Sequence, residues 1–256
     1  MWQSIPLASG GVMDYGDEFR DKVALIAGGT GALGREIALA FLEAGARVVA
    51  TYRRPDEFAE LKDTASRAGR NAGLLSGLSL DVGDLAAVSA AVEKLVGDYG
   101  RLDILVNAVG GFAGGKKVWE EEAVTYERMM ALNLQSGFVL ARAVLPTMIR
   151  QNRGWVVNVA SRAGYGHSPG AALYSASKAG ALAFFDSLAD EVRPYAINVN
   201  SVVPSIFDTP ANRRAMPSAD ASQWPKPAEI AQVVLFLCSE AGRVIHGAAV
   251  PVFGRT

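Results

Sequence analysis

The chain has 256 residues, half of them hydrophobic, and a formal net charge of -1 from 25 basic and 26 acidic side chains. A chain of this length can bury a sizeable core, and one α/β domain is more common at this length than two small domains. The charge is balanced and no long basic block appears, so the sequence lacks the electrostatic footprint of nucleic-acid binding. No run approaches the roughly 18 uncharged apolar residues of a membrane span.

Short apolar runs alternate along the chain with stretches of helical periodicity. The predicted strands cover Val23–Ala27, 47–51, 78–80, 102–107, 155–161, Ile197–Pro204 and 249–253. The predicted helices cover 33–45, 56–68, 84–100, 125–150, 173–192 and 228–242. Strands that read as nearly continuous apolar runs are typical of parallel sheets covered by crossover helices on both faces. The sequence therefore predicts an α/β fold, a Rossmann-type doubly wound seven-stranded parallel sheet flanked by helices.

Residues 1–20 precede the first strand, and we expect them to form an N-terminal arm that is partly disordered. The arm lacks the basic start and the continuous apolar stretch of a secretory signal, which predicts a cytoplasmic protein. Residues 21–256 contain no repeat or linker that would mark a boundary. They are predicted to form a single domain.

The turn after the first strand is rich in glycine and leads directly into a helix. Glycines let the backbone approach a pyrophosphate, which exposed amides and the positive end of the helix dipole then stabilise. A structural turn is the alternative, but the position within a βαβ unit favours a dinucleotide-binding, catalytic domain. The residues that we assign to the cofactor are Gly28, Thr30, Gly31, Ala32, Leu33 and Gly34.

The second strand ends without a carboxylate and is followed by two arginines. An acidic residue at this point favours NAD(H), whereas arginine can pair with the 2′-phosphate of NADP(H). We therefore expect NADP(H) to be favoured over NAD(H), unless both arginines are solvated and pair with Asp56 and Glu57. The cofactor residues assigned here are Tyr52, Arg53 and Arg54.

Further polar residues follow the third and fourth predicted strands. Asp81 can accept a hydrogen bond from the adenine amino group, or it can cap the next helix. Asn107 and Gly110 lie at the carboxyl end of a strand, where open α/β sheets bind ligands. The cofactor residues assigned to these two loops are Asp81, Val82, Asn107, Ala108 and Gly110.

Tyr174 and Lys178 stand four residues apart in a helix, so they share one face. We expect the nearby ammonium to lower the pKa of the phenol from its ordinary value of about 10 towards a useful range for proton transfer. Ser161, at the end of the preceding strand, can polarise a substrate oxygen beside the phenol. Asn133 can link Lys178 to solvent through a water. An ordinary surface pair is the alternative for the tyrosine and the lysine.

These motifs resemble the classical short-chain dehydrogenase/reductase family from about Lys22 to the C terminus. The matching residues are the glycine turn, Asn107-Ala108-Val109-Gly110, Asn133, Ser161, Tyr174-Ser-Ala-Ser-Lys178 and Pro204 followed by Thr209. The resemblance implies that the tyrosine is the general acid/base, the serine orients the substrate, the lysine holds the nicotinamide ribose and the asparagine completes a proton relay. It also implies cofactor contacts by Tyr174, Lys178, Pro204, Ile206 and Thr209.

The chain departs from the family pattern at four positions without losing a catalytic group. Ala27 replaces a threonine, Ala32 a glycine, Ala108 an asparagine and Ser205 a glycine.

The segments 110–116 and 208–224 carry a narrower resemblance to dihydropteridine reductase. That branch typically lacks the serine, which is present here, and carries the acidic residue after strand two, which is absent here. The chain is therefore similar also to the 3-oxoacyl-carrier-protein reductases. Phe112 and Trp224 are expected either to stack on a planar substrate or to pack internally. His167, in the loop beyond Ser161, is a further candidate for substrate contact.

Together these features predict an NAD(P)-dependent oxidoreductase that transfers a hydride between nicotinamide and a small-molecule carbonyl or alcohol substrate. The alternatives are a dihydropteridine-type reductase and a non-catalytic dinucleotide-sensing protein. We expect a homotetramer or homodimer, paired through residues 181–192 and the last strand. Cys238 lies in an apolar run and is expected to be buried. His167 and His246 lack the spacing of zinc ligands, so no metal is assigned.

Overall fold

The computed structural model describes residues 15–166 and 168–256. Seven strands form one sheet in the order β3-β2-β1-β4-β5-β6-β7, and every neighbouring pair is parallel. The strands are β1 (Val23–Ala27), β2 (Arg47–Tyr52), β3 (Leu75–Ser79), β4 (Ile104–Asn107), β5 (Gly154–Val159), β6 (Ile197–Pro204) and β7 (Ala249–Val252). The helices are α1 (Ala32–Glu43), α2 (Pro55–Arg67), α3 (Leu85–Tyr99), α4 (Ala123–Met130), α5 (Ser136–Gln151), α6 (Ala172–Val192), α7 (Pro210–Ala215) and α8 (Pro227–Leu237). The predicted fold is confirmed.

The central strands are buried on both faces because their side chains alternate between two cores. In β1, Ala24 and Ile26 pack with α1 and α8, whereas Val23, Leu25 and Ala27 pack with α3, α5 and α6. Every residue of β1 is buried. This double coverage explains the continuous apolar runs in the sequence.

The third strand begins three residues earlier than predicted. Leu75–Ser79 reads LSGLS, and only its first residue is buried, because the strand lies at the edge of the sheet. A Cβ on Gly77 would come within 2.7 Å of the Phe58 ring, so the glycine makes room for a side chain of α2. An edge strand with a glycine in this role has no apolar run for a sequence pattern to detect.

The predicted helix over 125–150 is divided by a π turn over Ala131–Gln135, between α4 and α5. A π turn inserts an extra residue into a helix and is frequent at functional sites. It contains Asn133, whose side chain is buried.

The described part of the predicted N-terminal arm packs against the domain. Phe19 is 0% exposed and meets Phe41 of α1 edge to face, with ring centroids 5.5 Å apart. Tyr15 meets Phe19 in the same way at 5.3 Å. Residues 15–20 therefore extend the core below α1, and residues 1–14 lie outside the described residues.

Cys238 is 0% exposed, as predicted, and burial raises the pKa of its thiol. Within residues 15–166 and 168–256 no group of His, Cys, Asp and Glu side chains is arranged to hold a metal ion. No helix of this part of the chain has the length and apolar character to cross a bilayer.

Candidate active site

A cavity of about 560 Å³ opens where the strand order reverses between β1 and β4. This is where doubly wound sheets bind ligands, and the volume is typical of small-molecule sites. The cavity brings together residues predicted from four separate turns, namely Gly28, Thr30, Gly31, Tyr52, Arg53, Asp81, Val82, Ala108 and Gly110.

The glycine turn is closely packed against its surroundings. Gly28 has a φ of +73°, and a Cβ there would lie 3.1 Å from the Ala108 carbonyl. A Cβ on Gly34 would lie only 2.1 Å from the Gly28 carbonyl oxygen. The Gly28 amide donates to Thr51 Oγ1 at 2.9 Å, which holds the turn against β2. These contacts require glycine at both positions.

The first turn of α1 fits a phosphate group. Its N-cap residue, Gly31, supplies no side-chain cap, and the first amides of a helix have no intrahelical acceptor. The Leu33 side chain lies in the core. Ala32, Leu33 and Gly34 therefore present main-chain donors rather than side chains, which suits the pyrophosphate of a dinucleotide.

Gly34→Ala is expected to lower the free energy of unfolding by about 3 kcal/mol, because its Cβ must displace the backbone of the turn. Gly97→Ala is the matched control, since a Cβ there, in the last turn of α3, meets nothing within 4 Å. Its stability should stay the same or rise. Urea denaturation followed by circular dichroism measures both variants, and equal stability would contradict the steric argument.

The two arginines after β2 have different environments. Arg53 lines the cavity, and its Nη2 lies 3.7 Å from Asp81 Oδ2. Arg54 is the N-cap residue of α2, and its guanidinium binds Asp56 in the first turn of that helix. This pairing corresponds to the alternative for Arg54, and its contact with a 2′-phosphate stays a prediction.

Asp81 does not cap the next helix. The N-cap residue of α3 is Asp84, whose Oδ1 accepts from the amides of Ala86 and Ala87. Asp81 accepts from the Gly83 amide at 3.0 Å and faces the cavity. Of the two alternatives for Asp81, the cofactor contact remains.

The side chains predicted to be catalytic converge beside this cavity. Lys178 donates from Nζ to the Val159 carbonyl at 3.0 Å, and Ser161 lies close enough to Tyr174 to act on the pKa of the phenol. A Cβ on Gly110 would lie 3.2 Å from Lys178 Nζ and 3.0 Å from Asn133 Oδ1. Since Gly110 also lines the cavity, the polar cluster and the cavity share a boundary.

The predicted effect of Lys178 on the phenol is not observed. Burial raises the pKa of Tyr174 above its ordinary value, and the hydrogen bond from Ser161 opposes that rise. Burial also lowers the pKa of Lys178 to about 8. The two residues share a helix face, but the amine donates to the carbonyl of Val159 at the end of β5.

Asn133 connects three elements directly. Its Oδ1 accepts from the Gly111 amide and its Nδ2 donates to the Gly111 carbonyl, both at 3.0 Å. Nδ2 also donates to Ser177 Oγ on α6 at 3.0 Å. The side chain therefore fastens the loop after β4 to α6, a role that the predicted water-mediated link did not include.

Comparison with known proteins agrees with this geometry. The short chain dehydrogenase family matches residues 22–220. The chain belongs to the short-chain dehydrogenase/reductase family. It is 32% identical over 241 residues to the 3-oxoacyl-[acyl-carrier-protein] reductase of Thermotoga maritima, covering 91% of this chain and 96% of that one. It is 34% identical over 245 residues to the cyclopentanol dehydrogenase of Comamonas testosteroni, covering 91% and 96%.

A solved short-chain dehydrogenase/reductase from Burkholderia xenovorans has the same fold. The two chains superpose with a TM-score of 0.85 at 30% identity, over 93% of this chain and 97% of the other. Members of the family are oxidoreductases that use NAD(H) or NADP(H) and act on small molecules. The chain is therefore an NAD(P)-dependent oxidoreductase, as the sequence predicted.

The two residues predicted to contact substrate differ in accessibility. Phe112 of this short-chain dehydrogenase is 69% exposed, and its ring meets Tyr174 edge to face at 5.0 Å. Trp224 is 7% exposed, which corresponds to the packing alternative. His167 lies outside the described residues.

The family residues after β6 lie outside the cavity lining found in the described chain. Pro204 ends β6 and is buried, and Ile206 is half-buried in the loop that follows. Thr209 caps α7, because its hydroxyl accepts from the Asn212 amide at 3.1 Å. Cofactor contacts by these three residues stay predictions.

Asn107 and two unpredicted residues have defined places in the structure. Asn107 is buried at the end of β4, where its Nδ2 donates to Asn158 Oδ1. Ser177 accepts a hydrogen bond from the side-chain amide of Asn133, and Glu57 lines the cavity. The serine lies within the Tyr-Ser-Ala-Ser-Lys motif and was detectable there, whereas Glu57 was considered only as a partner for arginine.

Proposed function

We propose that the enzyme transfers a hydride between NADP(H) and a ketone or secondary alcohol, with Ser161, Tyr174 and Lys178 as its catalytic centre. The observation that carries this proposal is the contact between the polar cluster and the cavity at Gly110. A general acid/base must lie within reach of the reacting atoms. The shared boundary satisfies that requirement for a nicotinamide bound in the cavity.

Each residue has a separate role in reduction. The bound nicotinamide supplies the hydride, and Tyr174 donates the proton to the substrate oxygen. The raised pKa of Tyr174 keeps the phenol protonated at neutral pH, which favours reduction there, and alcohol oxidation should become faster as the pH rises. Ser161 hydrogen-bonds the phenol and orients the substrate oxygen. Lys178 lies where it can bind the nicotinamide ribose.

The cavity supports a dinucleotide of either kind and offers one arginine to NADP(H). The glycine turn and the first amides of α1 suit the pyrophosphate. Arg53 supplies a guanidinium at the adenosine end, where it can bind a 2′-phosphate through charge-assisted hydrogen bonds. We propose NADP(H) as the favoured cofactor on that basis.

A carbonyl or alcohol substrate agrees with the names of the relatives, one a 3-oxoacyl reductase and the other a cyclopentanol dehydrogenase. Phe112 places an apolar ring beside the phenol. That ring favours a substrate with an apolar or planar group next to its carbonyl. A dihydropterin, which is planar, is a second candidate for the same reason.

Phe112→Ala is expected to raise KM for an aryl ketone by about tenfold, because a lost aromatic contact and its buried area contribute about 1–2 kcal/mol. The kcat value should change less, since Tyr174 stays in place. Trp119→Ala, which removes an exposed ring from the short helical turn over Val118–Glu120, is the control. Equal KM values for the two variants would contradict a substrate contact by Phe112.

The proposed function is tested by titrating the protein with NADPH and NADH, followed by nicotinamide fluorescence. A panel of aliphatic ketones, aryl ketones, quinones and quinonoid dihydropterin then measures turnover. Binding with turnover supports the proposal and identifies the substrate class. Tight binding without turnover across the panel would instead support the dinucleotide-sensing alternative. Light scattering in the same buffer tests the expected homotetramer or homodimer.

A further inference from the structure

The adenosine end of the cavity contains an acidic side chain that does not come from β2. Glu57 lies in the first turn of α2 and lines the cavity together with Thr30 and Arg53. Its Oε2 accepts a hydrogen bond from Thr30 Oγ1 at 3.0 Å. Thr30 belongs to the glycine turn, so the carboxylate is held against the phosphate-binding segment.

The charges around Glu57 do not make this end of the cavity strongly basic. Arg53 is partly balanced by Asp81, at 3.7 Å. Arg54 binds Asp56, and its Nη1 lies 3.7 Å from Glu57 Oε1. Among the described residues the cavity lining therefore carries one guanidinium, that of Arg53, and the carboxylates of Glu57, Asp81 and Asp84. The last of these is engaged in capping α3.

A carboxylate and a guanidinium select opposite forms of the cofactor. A carboxylate accepts hydrogen bonds from the two free hydroxyls of the NAD(H) ribose, whereas an arginine pairs with the 2′-phosphate of NADP(H). A carboxylate close to that phosphate repels it, and the repulsion is appreciable at the effective dielectric of a protein surface. This chain has both groups, one from the end of β2 and one from the start of α2.

We infer that Glu57 is a specificity-determining residue, whose carboxylate binds the ribose hydroxyls of NAD(H) and opposes the 2′-phosphate of NADP(H). It reduces the preference that Arg53 creates, so that the enzyme uses both dinucleotides. The inference rests on the dinucleotide site of the proposed function. It adds a residue that an inspection of the end of β2 does not find, because the carboxylate comes from the following helix.

The test uses ligands that contain only the adenosine end, so that binding is measured without catalysis. Isothermal titration calorimetry gives Kd for 2′,5′-ADP and for 5′-AMP. In Glu57→Gln, we expect the affinity for 2′,5′-ADP to rise by about tenfold, with no rise for 5′-AMP. Because the effect is electrostatic, it should become smaller when the salt concentration increases.

Glu60→Gln is the matched control on the same helix. Glu60 binds Arg35 at 2.7 Å and is not part of the cavity lining of the described chain. The Glu60→Gln variant should leave the ratio of the Kd values for 2′,5′-ADP and 5′-AMP unchanged. An equal change in Glu60→Gln and Glu57→Gln, or no change in either, overturns the inference.

A double variant separates repulsion by Glu57 from the release of Arg54. If repulsion is the cause, the gain in affinity for 2′,5′-ADP persists when Arg54→Ala/Glu57→Gln is compared with Arg54→Ala. If the gain disappears there, Arg54 was responsible and the inference is wrong. Wild-type protein that binds neither dinucleotide would refute the proposed function itself, whereas an unchanged ratio in a protein that binds both refutes only the role of Glu57.

Discussion

Tyr174→Phe should lower carbonyl turnover by about a thousandfold, the size typical of losing a positioned general acid. The variant keeps the ring that meets Phe112 and loses only the hydroxyl that is the proposed proton donor. Binding of NADPH and NADH should be unchanged, because the phenol lies beside the cavity and not in its lining. Steady-state kinetics and fluorescence titration measure the two properties separately.

Tyr126→Phe is the control for Tyr174→Phe, since Tyr126 is exposed on α4. It should retain full turnover. Wild-type turnover in Tyr174→Phe with intact cofactor binding would exclude Tyr174 as the proton donor. The dinucleotide-sensing alternative predicts no measurable turnover in either variant or in the parent protein.

Lys178→Met should abolish most of the activity and yet stabilise the fold at neutral pH. Burial lowers the pKa of Lys178 from 10.5 to about 8, so the buried ammonium costs about 3 kcal/mol below pH 8. The variant also loses the hydrogen bond to Val159, and this loss offsets about 1 kcal/mol of the stabilisation gained by removing the buried ammonium. We expect a net gain of about 2 kcal/mol in the free energy of unfolding at pH 7.

The pH dependence gives this prediction its sign. Between pH 8 and 10.5 the unfolded wild type binds the Lys178 proton and the folded protein releases it, so wild-type stability rises with pH in that window. The advantage of Lys178→Met should therefore shrink from pH 8 upwards. Urea denaturation at several pH values from 7 to 10 measures it.

Lys94→Met is the matched control for this measurement, because Lys94 is an exposed lysine of α3 that pairs with Asp98. Lys94→Met should change the free energy of unfolding only slightly and by the same amount at each pH, because exposed ion pairs contribute little to stability. A wild-type stability that does not change with pH relative to Lys178→Met would show that the amine is not buried as the structure places it.

Much of the fold was accessible from the sequence because a doubly wound sheet leaves a clear periodicity. Burial of β1 on both faces produces a continuous apolar run, and α1 and α8 show the helical spacing that covers it. The exception is β3, where Gly77 accommodates the Phe58 ring at the edge of the sheet. That contact joins residues 19 positions apart, and local pattern cannot detect it.

The proposed catalytic residues were also recognisable in the sequence, but their environments were not. The spacing of Tyr174 and Lys178 correctly placed them on one helix face. The sequence could not show that Lys178 reaches the Val159 carbonyl, or that burial rather than the ammonium dominates the pKa of the phenol. Burial depends on what α6 packs against, which is a tertiary property.

The sequence by itself determined the class of fold, the glycine turn and the chemical types available at the carboxyl edge of the sheet. These follow from local periodicity and from the conformational freedom of glycine. Only the tertiary structure decided which charges meet. It directs Arg54 to Asp56, leaves Arg53 in the cavity and brings Glu57 to Thr30. Such contacts depend on how separate elements approach one another, because electrostatic pairing is set by distance in space and not by separation along the chain.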